Sequence, residues 1–470
     1  MSEGKLKHPN ITLTIITLSY LMLVVDLSIA VTALPLIKHD LGFSTASLSW
    51  IQNAYTLVFG GLLLLGARIG DILGRRRMFI WGLGFFMGAS LIVGVANSAE
   101  VMIIARILQG VGAAVLAPST LALLNTGFPE QPARGRALAI YGSITGIGTT
   151  LGLVLGGWIA DAFSWRWAFL MNVPLGIVLI IAARVYILET KRQKGRLDVW
   201  GAVFSTLGMS AIVYGLIHAA EFGWGDNFAW PTVLTGLVLM VAFVQVEKRA
   251  AMPLVPLRLF KSAQRTGANA ARALFVGSMA AFWFFVSQFL QTAKGLNPLE
   301  TGLAFLPMTL ASFAIAFFVP RLSRRFGDTP FLAGGLATVA IGTLWLSQFT
   351  AGGSYLFEVA LPMLLVGIGQ GASTIRLTSA GIAGVNSEDS GAASGLVSTH
   401  VQLGSSLGLS VLITLAATVA TKDPAGNALT IAQLITKQAN IALFGGGILC
   451  TIALAVVLVF VLPKRHQLGD

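Results

Sequence analysis

Asp26 lies in the run LMLVVDLSIAVTALP, flanked on both sides by apolar residues. It stands about 14 residues into a helix that rises about 1.5 Å per residue, well inside a lipid bilayer if that helix spans one. A carboxylate at such depth is costly, so it marks a functional position by default. Because it can give up its charge by taking a proton, it suits proton coupling; a cap on a broken helix or a lock on an internal arginine is the structural alternative. Arg106, in RILQGVGAA, is the matching cation, and Gln109 follows it on the same helical face. A static partner for a loop acid is its plainer role. A third group is GARIGDILGRRR, Gly66 to Arg77, where Asp71, Gly74 and the arginines Arg75 and Arg76 crowd a connection between two apolar runs. Charges of both signs at a glycine turn can form a latch that closes and parts, or a solvated loop that only orients the chain.

These groups need long apolar elements to hold them. The chain has 470 residues, 55% hydrophobic and 11% charged, with a mean hydropathy of +0.81. Soluble domains carry about 25% charged residues, so the composition is that of a polytopic membrane protein. The net charge of +12 falls in short clusters between apolar runs and never in a basic domain, which argues against nucleic acid. Cys450 is the single cysteine, so no disulfide or zinc motif arises within the chain. No GxxxxGK[ST] loop appears, which argues against an ATP-driven pump, and no cofactor or metal is expected.

A span needs about 20 apolar residues. Fourteen are predicted, near 12–35, 48–68, 78–97, 99–123, 136–160, 167–187, 199–219, 229–247, 268–293, 299–322, 331–350, 355–378, 392–418 and 440–462. The first is too long for a cleaved signal and is expected to be retained. With both termini cytoplasmic, the opposite face is left only Lys38, Arg166, Lys294, Lys422 and Lys437, while Arg106 and Arg272 fall inside helices. That asymmetry orients the chain in a cell's inner membrane. Trp165, Trp167, Trp224 and Trp230 fall at outer span ends, where indoles suit the interface.

RLSRRFGD at 321–328 echoes GDILGRRR, and GIGQGA at 367–372 echoes LQGVGAA at 108–114, each at an offset greater than half the chain. Two six-helix halves, 1–190 and 251–470, with a helix pair inserted at 191–250, explain the excess. Spans 1, 4, 9 and 12 then line the central cavity, and Trp200, Tyr214 and His218 stay outside it. His218 and His400 read as structural histidines.

The spacing of Gly66, Asp71, Gly74, Arg75 and Arg76 resembles the loop between helices 2 and 3 of the major facilitator superfamily. Arg106, Gln109, Gly110 and Gly112 are similar to that superfamily's RxxQGxG pattern, whose arginine faces the cavity. Gly148, Gly152, Gly156 and Gly157 resemble the antiporter signature GxxxGPxxGG, with Leu153 in place of its proline. Asp26 to Pro35 resembles the LDxTIVNVALP pattern of the fourteen-helix drug:proton antiporters, with Val31 replacing the asparagine. Trp50, Tyr55 and Leu57, the run WRWAFLMNVPLG and LDVWG at 197–201 resemble the same family. The resemblance implies an all-α major facilitator fold and a monomer that exports hydrophobic, cationic drugs against protons. It implies proton-coupling roles for Asp26 and Arg106.

Polar and aromatic residues could line the drug site: Gln52, Asn53, Tyr55, Gln109, Trp283, Phe284, Gln288, Gln291 and Gln370. Aromatic faces attract lipophilic cations, although aromatics in membrane helices more often pack or face lipid. A proton-linked uptake symporter for a polar nutrient is the competing reading. Substrate identity and the need for a periplasmic adaptor stay open.

Overall fold

The computed structural model describes residues 8–128, 130–190, 192, 197–250, 253–326, 328–385, 390–418 and 429–461. Thirteen helices among them are long and apolar enough to cross a membrane, and a shorter apolar helix, Pro330–Leu346, makes the fourteenth. We number them in chain order. The first six are α1 Pro9–Leu41, α2 Trp50–Leu73, α3 Arg75–Gly94, α4 Ala99–Gly127, α5 Gln131–Ala162 and α6 Trp165–Tyr186. Then come α7 Val199–Phe222, α8 Ala229–Arg249, α9 Ala263–Gln288, α10 Pro298–Val319, α11 Asp328–Leu346, α12 Leu361–Gly381, α13 Ser390–Ala416 and α14 Ile431–Val456. The protein is an all-α membrane protein with every expected span present.

Two helices break where a proline follows. α6 consists of Trp165–Leu170 and Asn172–Tyr186, with Pro174 three residues past the break at Met171. α10 is interrupted at Phe305, two residues before Pro307. Proline lacks the N–H that continues the ladder, so the helix bends there. α14 begins nine residues earlier than its apolar run, at Ile431. Thr430 and Gln433 form a reciprocal capping box that starts it, and Lys437 is thereby helical and not in a loop.

The helices fall into two compact units. The first comprises Met1–Leu254 and Leu290–Ala304, the second Val255–Phe289 and Phe305–Asp470. In the first unit α2 and α3 both pack on α4, α1 on α5, and α7 on α8 and α2. Glycines set the close crossings. A Cβ at Gly112 would lie 2.7 Å from Phe86 N, and one at Gly82 would lie 2.9 Å from Leu116 N, so α3 and α4 meet backbone to backbone. Gly66 abuts Ala114 and Gly61 abuts Thr206 in the same manner. Pro298–Ala304 belongs here because Gly157 and Gly302 let it lie against α5. In the second unit α9 packs on α12, α13 and α14, and α11 on α12 and α14.

α8 shows the least burial of the spans, with Val238 and Val241 each more than 60% exposed. Trp200 and Tyr214 on α7 are likewise exposed, while His218 Nε2 bonds Asp226 Oδ1 at 2.8 Å. Trp167, Trp224 and Trp230 are exposed as expected, but Trp165 is not. Its indole is buried and donates to Asp40 Oδ2 at 3.0 Å, with Arg166 paired to the same oxygen, so it ties α1 to α6 instead of sitting in the interface.

The crossing of α3 and α4 yields a test. Gly112→Val should cost about 1–3 kcal/mol, because the new atoms meet fixed backbone. Gly84→Ala, where nothing lies within 4 Å, should stay within about 0.5 kcal/mol. Thermal unfolding of the two variants in detergent, followed by tryptophan fluorescence, checks this; equal shifts would refute the close crossing.

Candidate functional site

α1 is pressed from one side by the glycines of α5. A Cβ at Gly148 would meet Leu21, one at Gly152 would meet Ser28 at 2.7 Å and the backbone of Val25, and one at Gly156 would meet Ile29. With that face spent on α5, Asp26 points to the opposite side, toward α4 and α6. It is fully buried, and so is Arg106. Arg106 Nη1 donates to Asp26 Oδ2 at 2.6 Å. The other carboxylate oxygen accepts from Gln109 Nε2 at 3.1 Å and from Asn172 Nδ2 at 2.9 Å. The carboxylate therefore has three donors, which is what allows a charge to persist away from water.

Arg106 is held as tightly. Its Nε donates to Ile51 O at 2.8 Å, its Nη1 also donates to Gln109 Oε1 at 2.7 Å, and Tyr55 covers its face with ring centroid 4.6 Å from Cζ. Phe169 lies 5.8 Å away from it. Its Nη2 is buried without a partner, so the guanidinium retains one donor group for a further acceptor. Arg106 and Gln109 are three residues apart on α4, which puts both on the Asp26 side. Ser90 on α3 completes the set. Its hydroxyl donates to Phe86 O at 2.8 Å and accepts from Gln109 Nε2 at 2.7 Å and Asn172 Nδ2 at 3.4 Å.

Ser90 and Asn172 are absent from the residues named on sequence grounds. Asn172 lies in WRWAFLMNVPLG, and an amide inside an apolar run was the available signal. The break before Pro174 starts the second segment of α6 at Asn172. Ser90 carries no signal of its own, since a serine inside a helix can satisfy itself on the preceding turn.

The charged loop forms a second cluster in the same unit. Arg75 Nε and Nη2 donate to Asp71 Oδ1 at 3.0 and 2.8 Å, and Nη1 donates to Ala122 O at 3.2 Å. Gly74, with φ +106°, is the single residue between α2 and α3. A Cβ there would meet the Glu189 carboxylate at 2.7 Å. Glu189 accepts from Arg76 N at 3.0 Å and Arg77 N at 3.1 Å, and Thr190 Oγ1 accepts from Arg75 N at 3.3 Å. An anion thus sits on the open N–H groups that begin α3, where the helix dipole favours it. Sequence reasoning named Asp71 and the arginines but missed Glu189, which lies more than a hundred residues away. The Asp71–Arg75 pair is about a quarter exposed, so it is strong enough to hold a geometry and weak enough to part. The echo of this loop at 321–328 runs through Gly327, which lies outside the described residues.

The remaining named positions are distributed over both units. In the first, Asn53 and Tyr55 are buried, and Gln52 is half-buried, its carbonyl bonded by Thr56. Gln291, in the stretch that belongs to this unit, donates from Nε2 to Thr32 O at 2.9 Å. In the second unit Trp283 is half-buried against Phe305 with centroids 4.8 Å apart, and Phe284 is buried against Phe285. The Oε1 atoms of Gln288 and Gln370 are buried without partners. His400 Nδ1 bonds Leu396 O at 2.8 Å within its own helix.

A sequence model of the Major Facilitator Superfamily matches residues 16–409. The cephamycin export protein of Amycolatopsis lactamdurans is 40% identical over 412 residues, covering 87% of this chain and 85% of that protein. The puromycin resistance protein of Streptomyces alboniger is 35% identical over 408 residues, covering 86% of this chain and 80% of its own length. Among solved structures, a bacterial homolog of the human lysosomal transporter Spinster superposes with a TM-score of 0.70 over 96% of this chain and 97% of that one, at 15% identity. With a family match across most of its length and relatives of this similarity, the chain belongs to the Major Facilitator Superfamily, whose members are membrane transporters of small molecules.

Proposed function

We propose that the protein is a proton-coupled exporter that moves hydrophobic, drug-like molecules out of the cell by alternating access. It resides in the bacterial inner membrane as a monomer with both termini cytoplasmic. The observation that carries this reading is the fully buried Asp26–Arg106 pair with its three-donor carboxylate. Relatives named for antibiotic export and resistance support it, as does the packing of the α5 glycines directly on the helix that bears Asp26. The proton gradient is the energy source, and no cofactor is required.

The chemistry follows from the bonds that Asp26 makes. As a carboxylate it accepts from Arg106, Gln109 and Asn172. Taking a proton turns one oxygen into a donor and removes the charge that holds Arg106. A guanidinium left without its counter-ion in an apolar interior is costly, by about 3–5 kcal/mol where a buried pair is broken. That energy biases the unit toward an arrangement in which Arg106 finds another acceptor, and loss of the proton restores the pair. Substrate and proton then use the same switch at opposite stages of the cycle. The Asp71–Arg75 and Glu189 contacts act as the cytoplasmic latch, because the first joins the end of α2 to the start of α3 and the second joins the start of α3 to the chain after α6, and they can open without exposing an apolar core.

Asp26→Asn keeps the size and one acceptor oxygen of the side chain, replaces the other oxygen by an N–H donor, and cannot titrate. It should reduce efflux of a substrate found in a growth-inhibition panel by at least about tenfold, with expression and elution profile unchanged. Undiminished efflux driven by an imposed pH gradient would remove Asp26 from the coupling. In acidified inverted vesicles, the same substrate should alkalinise the lumen through the wild type and leave it unchanged through the variant. A deeper acidification would indicate uptake symport.

Asp71→Asn weakens the latch and leaves the buried pair intact. The maximal rate should fall several-fold while KM stays within about twofold. A raised KM with the maximal rate preserved would make Asp71 part of the binding site instead.

A further inference from the structure

The second unit contains a charged side chain that the mechanism above does not use. Arg272 lies on α9, and both of its hydrogen bonds are made by Nη1: to Thr374 O at 2.8 Å and to Thr378 Oγ1 at 2.6 Å, both on α12. Its Nε is buried and has no partner, while the side chain as a whole is only half-buried. The edge formed by Nε and Nη2 is one of the two forks through which a guanidinium takes a carboxylate in a pair of parallel bonds. In this structure that edge has no acceptor among the described residues.

A cation inside an apolar span normally has a counter-charge. Arg106 in the first unit has Asp26. Among the described side chains of the second unit the one acid is Glu358, and it is engaged with Thr350 N at 2.7 Å and Thr350 Oγ1 at 3.1 Å. Gln370 lies one turn from Thr374 on the same face of α12, and its Oε1 is buried without a partner. An amide placed there can rotate to offer N–H to a second carboxylate oxygen. The two helices that place these groups, α9 and α12, correspond in the repeat to α1 and α4, which hold the Asp26–Arg106 pair.

We propose that Arg272 binds the carboxylate of an amphiphilic organic anion, with Gln370 as the adjoining polar contact, so that the exported compounds include acids. The proposal rests on the export reading for its physiological meaning, but binding is measurable without transport. Benzylpenicillin and its methyl ester provide a matched pair, identical apart from the charged group. Their binding to the purified full-length protein in phosphatidylcholine nanodiscs can be followed by quenching of tryptophan fluorescence. The wild type should bind the acid at least about tenfold more tightly than the ester. Arg272→Gln, which can still bond Thr378, should abolish that preference and leave ester binding unchanged; Arg272→Lys should retain part of it. Equal affinity for acid and ester in the wild type, or an intact preference in Arg272→Gln, would overturn the site. Loss of acid and ester binding together in Arg272→Gln would also overturn it, since that is the result expected if Arg272 only straps α9 to α12. An intact acid preference in a protein that moves no compound in proteoliposomes would confirm the site and refute export.

Discussion

A carboxylate and a guanidinium enclosed together in apolar helices impose a demand that the rest of the first unit meets. Desolvating two charges is repaid only when their remaining donors and acceptors are also satisfied. Asp26 therefore needs more than Arg106, and α3, α4 and α6 each supply a polar group to the cluster: Ser90, Gln109 and Asn172. The Ile51 carbonyl on α2 takes the guanidinium Nε. Five helices thus meet at one ion pair. Their backbones can approach that closely because Gly66, Gly82, Gly110, Gly112 and the glycines of α5 leave no side chain in the way. The close glycine crossings and the burial of Asp26 at their centre are consequences of the same requirement.

The pair is also incompletely satisfied. Arg106 Nη2 and the Tyr55 hydroxyl are both buried without partners, and Tyr55 lies over the guanidinium. A buried polar group left without a partner is costly in so low a dielectric. A network that is closed around the carboxylate and open around the cation is suited to lose the first partner and gain another.

Much of this architecture is legible in the sequence. All fourteen spans follow from apolar length, and Asp26, Arg106 and Gln109 stand out because each is polar in a stretch that is otherwise apolar. What is not legible is which distant residue completes each group. Ser90, Asn172 and Glu189 are ordinary residues until folding brings them to a charge, and no period or spacing along the chain encodes that meeting. Trp165 illustrates the same limit from the other side. An indole at a span end suits the membrane interface, but an acid at the end of α1 offered it a stronger partner. The start of α14 at Ile431 was hidden for a local reason: polar and charged residues on its first turns mask a helix that its capping box nonetheless fixes.

The two units share a helical plan and differ in their electrostatics. In the first, acid and base are both on the protein, so the Asp26–Arg106 pair is neutral with nothing bound. In the second, Thr374 and Thr378 solvate one side of Arg272 with neutral oxygens, and among the described residues no carboxylate supplies the charge. Neutral oxygens can hold a guanidinium in place without satisfying its need for a counter-ion. On the two proposals above, the unit that keeps its ion pair responds to the proton and the unit that keeps only the cation recognises the anion. The polarity is the reverse of what aromatic-lined drug sites suggest. Trp283 and Phe284 argue for lipophilic cations only if their faces are open, and Phe284 is spent on packing against Phe285. In the second unit the buried atoms without partners include Arg272 Nε and, one turn from its partner Thr374 on α12, Gln370 Oε1, and a guanidinium without a carboxylate attracts acids more than amines.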